Sequence, residues 1–196
     1  MSRIGIIGDV HGNFNEYFNL IRREKLDYSI QLGDFGFKYP EIDQGHHIIP
    51  GNHDDYSRLP SYSLGDFGIR EVGGFKFFFI RGASSVDYRS RGYFVDVWPN
   101  EELNYFESLK CLDLYEAEKP DFVLSHDCPQ SILWNDYPPS FTRKLLQELF
   151  EIHQPKAWCF GHHHVNKKIS RDGTIFNCVD VLNCLVVEDL MNELSL

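Results

Sequence analysis

The sequence predicts a layered α/β fold, on three observations. A short apolar strand, Arg3 to Gly8, is followed by a helical stretch, Asn13 to Lys25, and by a second strand, Tyr28 to Leu32. Strand, helix, strand is the unit from which α/β layers are built. Farther along, two hairpin turn signals, Gly73-Gly74 and Asp172-Gly173, require antiparallel strands as well. Finally, Asp9, Asp34, Asn52, His126 and His162 each lie within about three residues of the end of an apolar strand. Ligands of open α/β sheets bind outside the carboxyl ends of the strands, so segments far apart in sequence can meet on one edge.

The elements follow in order. In the first helix Phe14, Tyr17, Phe18, Leu20 and Ile21 recur at helical spacing behind Asn13, a suitable N-cap. His46 to Pro50 is a third strand. Ile69 to Val72 and Phe75 to Ile80 are the arms of the first hairpin, the second arm buried. Ser84 to Trp98 is irregular and is expected to be a loop over the site. Pro99-Asn100 opens a helix to about Ala117, with Leu103, Phe106, Leu109 and Leu112 inward and Glu101 and Glu102 at its positive end. Phe122 to Ser125 is a buried strand, and 129–139 is a loop. Ser140 caps a helix to about His153, with Phe141, Leu145, Leu146, Leu149 and Ile152 inward. Ala157 to Phe160 is a strand. Lys167 to Ser170 and Thr174 to Val179 form the second hairpin, and Leu182 to Val187 closes the sheet. With no repeat, low-complexity tract or linker, residues 1–196 read as a single domain.

Composition narrows the function. Apolar residues make up 42% and charged residues 24%, as in an ordinary globular protein. With 19 basic against 29 acidic residues the net charge is −10, which argues against an extended nucleic-acid groove. A phosphate-ester substrate remains compatible, because bound divalent cations outweigh the mean charge locally. No apolar run approaches the roughly 18 residues of a membrane span, and Met1 to Gly5 leads into a strand without signal-peptide character. The five cysteines, at 111, 128, 159, 178 and 184, form no C-x-x-C. Reduced thiols and a cytoplasmic protein are expected.

The polar set is two carboxylates, one amide oxygen and several imidazoles, without thiolate. Such donors suit Mn, Fe, Zn or similar ions. In order along the chain stand Asp9-Val10-His11, Gly33-Asp34, Gly51-Asn52-His53-Asp54, His126, and Gly161-His162-His163-His164. Five such segments in this order resemble the calcineurin-like metallophosphoesterase superfamily. The resemblance spans residues 9 to 164 and implies a four-layer α/β/β/α sandwich of two mixed sheets flanked by helices. It also implies two divalent metal ions, Mn²⁺ first and Fe, Zn or Mg as alternatives. Asp9, His11 and His164 would hold one ion and Asn52, His126 and His162 the other, with Asp34 bridging. A metal-bridging hydroxide would be the nucleophile, its pKa lowered by coordination. His53 would stabilise the transition state or protonate the leaving oxygen, and Asp54 would orient His53 or its loop.

Several residues carry blander readings. Gly33-Asp34-Phe35-Gly36 recurs as Gly65-Asp66-Phe67-Gly68, and the second copy, among Ser, Tyr and Pro, is a turn. His46, His47 and His153 have surface or packing roles. On an extended segment His163 would point away from the metals if His162 and His164 face them.

The chain departs from the serine/threonine protein phosphatase branch of the superfamily. Phe37, Lys38 and Tyr39 stand where that branch's G-D-x-x-D-R-G has Asp, Arg and Gly. The groups that support the catalytic His and grip a phosphomonoester are therefore missing, which favours a phosphodiesterase acting on a small or nucleotide-like substrate. A phosphomonoesterase, a nuclease and a non-catalytic metal-binding scaffold are the alternatives. Arg81 is a candidate phosphate contact, with Arg89 and Arg91 as others. Tyr88, Tyr93, Trp98, Trp134 and Tyr137 could stack a base or simply fill a core. The sequence leaves the oligomeric state open.

Overall fold

The computed structural model describes residues 2–85, 100–133 and 138–194. The expected loop from Val86 onward, with Arg89, Arg91, Tyr88, Tyr93 and Trp98, lies outside the described residues, as do Trp134 and Tyr137.

The elements run β1 (Ile4–Ile7), α1 (Phe14–Glu24), β2 (Tyr28–Gln31), β3 (His46–Ile48), β4 (Phe67–Val72), β5 (Phe75–Ile80) and α2 (Tyr105–Glu118). They continue through β6 (Phe122–Ser125), α3 (Phe141–Ile152), β7 (Ala157–Phe160), β8 (Lys167–Arg171), β9 (Thr174–Cys178), β10 (Cys184–Val186) and α4 (Val187–Leu194). Two mixed sheets result. One has four strands in the order β10-β1-β2-β3, and the other six in the order β4-β5-β6-β7-β9-β8. In the first, β1, β2 and β3 are parallel and β10 closes the edge antiparallel to β1. In the second, β5, β6, β7 and β9 are parallel, and the hairpins put β4 and β8 antiparallel at the edges. All the parallel strands in each sheet thus point their carboxyl ends one way.

Side-chain alternation explains the layering. Successive residues of a strand face opposite sides. Ile4, Ile6 and Ile30 of the first sheet pack with Phe77, Phe79, Leu124 and Cys159 of the second, forming the core between the sheets. On the other side of the six-stranded sheet, Phe78, Ile80, Trp158 and Phe176 pack with Cys111 and Tyr115 of α2 and Leu145 and Leu149 of α3. On the other side of the four-stranded sheet, Ile7 and Ile48 pack with Tyr17 and Leu20 of α1. The architecture is therefore the expected α/β/β/α sandwich, with hydrophobic burial on both faces of both sheets.

Three elements differ from the sequence reading. Helix α2 begins at Tyr105, not at Pro99-Asn100. Its start is fixed by a capping box: Asn104 Oδ1 accepts from the backbone N–H of Phe106 and Glu107, and Glu107 Oε2 accepts from the N–H of Asn104. Glu102 serves the other helix instead, accepting from the Thr142 N–H and hydroxyl in the first turn of α3. The inward face of α2 is Ser108, Cys111 and Tyr115, while Phe106 is 74% and Leu109 42% exposed. Apolar residues lie all round this helix, so spacing alone did not select a side. In α3, Ser140 caps as expected, but Phe141 and Ile152 are exposed, and Arg143 and Phe150 are buried. The segment after β10 turns into helix α4, which buries Val187 and Leu190 against the core between the sheets.

Candidate metal centre

The carboxyl edge of the sheets gathers the predicted ligands. Asp9 and His11 follow β1, Asp34 follows β2, and Asn52 follows β3. His126 follows β6 directly, and His162 and His164 follow β7. Two groups of donors converge there: Asp9, His11 and His164, and Asp34, His126 and His162. In the first, His164 Nε2 lies 2.9 Å from His11 Nε2 and 3.0 Å from Asp9 Oδ2. In the second, His126 Nε2 lies 3.2 Å from Asp34 Oδ1 and 3.0 Å from Asn52 Oδ1. Asp34 lies between them: its Oδ2 is 4.0 Å from His11 Nε2 while its Oδ1 faces His126. His126 Nδ1–H donates to the Leu32 carbonyl at 2.7 Å, which leaves Nε2 as the nitrogen that faces Asp34 and Asn52; a cation held there would take the place of the Nε2 proton.

The backbone bends to make this possible. His11, Asp34, His162 and His164 all have φ between +48° and +65°, the left-handed region that side-chain-bearing residues seldom adopt. Close approach adds a second demand. A β-carbon on Gly161 would lie 2.4 Å from Asp9 Oδ1, the oxygen that accepts from the His162 N–H. A β-carbon on Gly51 would lie 2.3 Å from Asp34 Oδ1 and 2.7 Å from His126 Nε2.

Electrostatics suit cations. Asp9 and Asp34 are buried. Burial alone would raise both carboxyls, yet both are held below the ordinary range. Hydrogen bonds with His11 and His164 do this for Asp9, and the His126 charge does it for Asp34. Burial pushes His162 down to about 4, so its imidazole is neutral and ready to ligate. Burial also lowers His126, but the Asp34 and Asp9 carboxylates overcome it and raise the ring to about 10. Two buried carboxylates, an amide oxygen and four imidazoles converging in this way fit a pair of divalent ions.

His53 sits beside this cluster. Its backbone N–H donates to Asp34 Oδ1 at 2.7 Å, and its ring lies 5.7 Å from that of His11. Asp54 holds the loop. Its carboxylate accepts from the N–H groups of Gly51 and Gly36, and burial, then Asp34, raises it to about 7. Arg81 is engaged elsewhere. Its guanidinium is bound by Asp66 and the Asn100 carbonyl, lies 3.8 Å from Glu107 and stacks 4.7 Å above the Tyr56 ring. None of these partners belongs to the histidine cluster. Asp66, in the repeated Gly-Asp motif, is thereby more than a turn residue.

One buried group escaped the sequence reading. His163 joins neither of the two donor groups, though its ring lies 5.1 Å from that of His162 and His162 and His164 are left-handed rather than extended. It faces Asp127 Oδ1 at 3.1 Å and Cys128 Sγ at 3.6 Å. Asp127 also pairs with Arg143 of α3 at 2.8 Å, and Asp127, His163 and Arg143 are all buried. Adjacency of Asp127 to His126 was the only sequence signal; a buried arginine on an amphipathic helix gives none.

The calcineurin-like phosphoesterase family model matches residues 2–166. The chain belongs to this family, and it lies outside the serine/threonine protein phosphatase branch. The comparison with curated proteins finds no match. Among solved structures, TT1561 of Thermus thermophilus is similar at 14% identity and a TM-score of 0.53, over 92% of this chain and 90% of that one. GAP50, described as the anchor in the inner membrane complex of Plasmodium, is similar at 14% identity and a TM-score of 0.56, over 91% of this chain and 71% of that one. At these identities the likeness is one of fold. Among the described residues no helix is long and apolar enough to cross a membrane.

Proposed function

We propose that the chain is a two-metal phosphoesterase that hydrolyses phosphate diesters of small or nucleotide-like molecules. The observation that carries this reading is the division of the Asp34 carboxylate, one oxygen toward His11 and the other toward His126. A carboxylate so placed suits a bridge between two ions. Asp9, His11 and His164 would hold one ion, Asn52, His126 and His162 the other, with Mn²⁺ the first choice and Fe, Zn or Mg alternatives. Bound ions would supply Lewis-acid activation of water and of the phosphoryl group. The protein's own residues do the rest. Gly51 and Gly161 let the donors approach, Asp54 fixes the loop, and His53 delivers a proton to the leaving oxygen or steadies its charge.

The diester preference rests on Phe37, Lys38 and Tyr39, which lack the monoester grip, and on the internal engagement of Arg81. We read residues 1–196 as one domain. The five free cysteines, four of them buried, fit a reducing cytoplasmic setting. The similarity to a protein described as an anchor favours a second reading, a metal-binding scaffold.

Hydrolysis of bis-p-nitrophenyl phosphate beside p-nitrophenyl phosphate decides between them, on metal-stripped protein before and after Mn²⁺ is restored. Diester cleavage should return with Mn²⁺ and fall by about 10²–10⁴-fold in His53→Ala. Cleavage of the monoester alone would make the protein a phosphomonoesterase. Two bound ions with neither reaction would leave the scaffold.

A further inference from the structure

We infer that Ser85 and Glu101 are positioning residues that fix the Asn52 amide toward the second metal position; the inference rests on the two-metal reading above. An Asn side chain is useful as a ligand only if its oxygen, not its nitrogen, faces the cation. Asn52 is buried, and its two ends have different surroundings. Its Oδ1 lies 3.0 Å from His126 Nε2. Its Nδ2 donates to Ser85 Oγ at 3.1 Å. The Ser85 hydroxyl in turn donates to Glu101 Oε2 at 2.9 Å, and the Ser85 N–H donates to Glu101 Oε1 at 2.9 Å.

The proton direction follows from this chain. A carboxylate is acceptor-only, so Glu101 accepts the hydrogen bond of the Ser85 hydroxyl and leaves the Ser85 oxygen as an acceptor. Only the Asn52 NH₂ end satisfies that acceptor, which forces the amide oxygen toward His126. Each link polarises the next. Ser85 is 4% and Glu101 8% exposed, so water competes little.

The relay also joins the two sheets. Asn52 follows β3 of the four-stranded sheet, whereas Ser85 follows β5 of the six-stranded one. The Gly82 N–H donates to the Pro50 carbonyl at 2.9 Å, and a β-carbon on Gly82 would lie 2.1 Å from the Glu101 carbonyl oxygen. Backbone packing thus brings the three residues together, and the hydrogen bonds set their orientation.

The test uses the full chain, metal-stripped and titrated with Co²⁺, with binding followed by calorimetry and geometry by visible absorption. The variants are Ser85→Ala and Glu101→Gln, with urea unfolding as a control. Wild type should bind two ions. In Ser85→Ala one of the two should weaken by about 10–100-fold, as when a group that orients a metal ligand is removed, and the absorption should change. Glu101→Gln should weaken the same ion less, because its amide still holds Ser85 without fixing the hydroxyl proton. Diester cleavage by either variant should recover in excess metal. Unchanged affinities and spectra in both variants, whatever their urea midpoints, would overturn the inference. If Ser85→Ala does not fold, Glu101→Gln decides by the same criterion. A wild type that binds fewer than two ions would sink the two-metal reading itself, and the inference with it.

Discussion

Gly51 is where the centre tolerates least change. A β-carbon there would meet Asp34 Oδ1, the Asp34 backbone nitrogen and His126 Nε2, all within 2.7 Å. None of these can withdraw cheaply, since Asp34 and His126 are fully buried. Gly51→Ala should therefore cost about 1–3 kcal/mol, as overpacking does elsewhere. Urea unfolding and a Mn²⁺ titration would check it, with metal uptake expected to suffer along with stability. The four left-handed donors, His11, Asp34, His162 and His164, tell a related story, since each such conformation costs about 1–2 kcal/mol in an ordinary residue. That these donors gather at one edge was legible in the sequence because each follows an apolar strand that can be recognised. The left-handed turns at His11, Asp34, His162 and His164 were not, because His and Asp carry no local mark of positive φ as Gly does. For Arg81 the position at a strand end was visible in the sequence, and its partners Asp66 and Asn100 were not.

Helix α2 shows what a single cap decides. The start expected at Pro99-Asn100 is overruled by Asn104 and Glu107, whose reciprocal hydrogen bonds satisfy the first turn. The signal was present as Asn104-x-x-Glu107 but competed with a Pro-Asn pair and two glutamates just upstream. Asn104→Ala should lower stability by about 1 kcal/mol and leave diester hydrolysis unchanged, since α2 supplies no donor to the cluster. Thermal unfolding beside an activity measurement would show whether both hold. Strands were read more faithfully than helices. The inner strands β1, β2, β6 and β7 are short runs buried on both faces, so no choice of side was needed, and the exposed edge strand β8 was marked by its Asp172-Gly173 turn.

At the scale of the whole molecule, Asp127 ties the outer helix layer to the metal edge through Arg143 and His163. Burial alone would raise its carboxyl, but the neighbouring His162, His163 and Arg143 hold it well below the usual range. A depressed carboxyl contributes stability above the unfolded value of about 3.9 and loses that contribution as pH falls below it. Asp127→Asn should thus cost about 3–5 kcal/mol near neutrality, because Arg143 is left buried without its carboxylate. The gap from wild type should close as pH falls through 4 toward 2. Urea midpoints of metal-free wild type and variant across that range are the measurement, and a gap independent of pH would contradict the assignment. The layering of the fold was within reach of the sequence through its resemblance; this buried charge group was not, because its members are separated along the chain and only contact reveals them.

Each donor group draws on both sheets: Asp9 and His11 meet His164, and Asp34 meets His126 and His162. This has a consequence for how the molecule comes into being. Synthesis runs from the amino end, and His164 is reached only after most of the 196 residues have been joined. Strand β10, which covers the free edge of β1, comes later still. The nascent chain can therefore hold neither set of donors complete while β6 and β7 are unmade, and its first strand waits for its last. A ribosome-bound fragment ending before His126 is left with the carboxylates of Asp9 and Asp34, the Asn52 amide and the His11 imidazole, all from a single sheet.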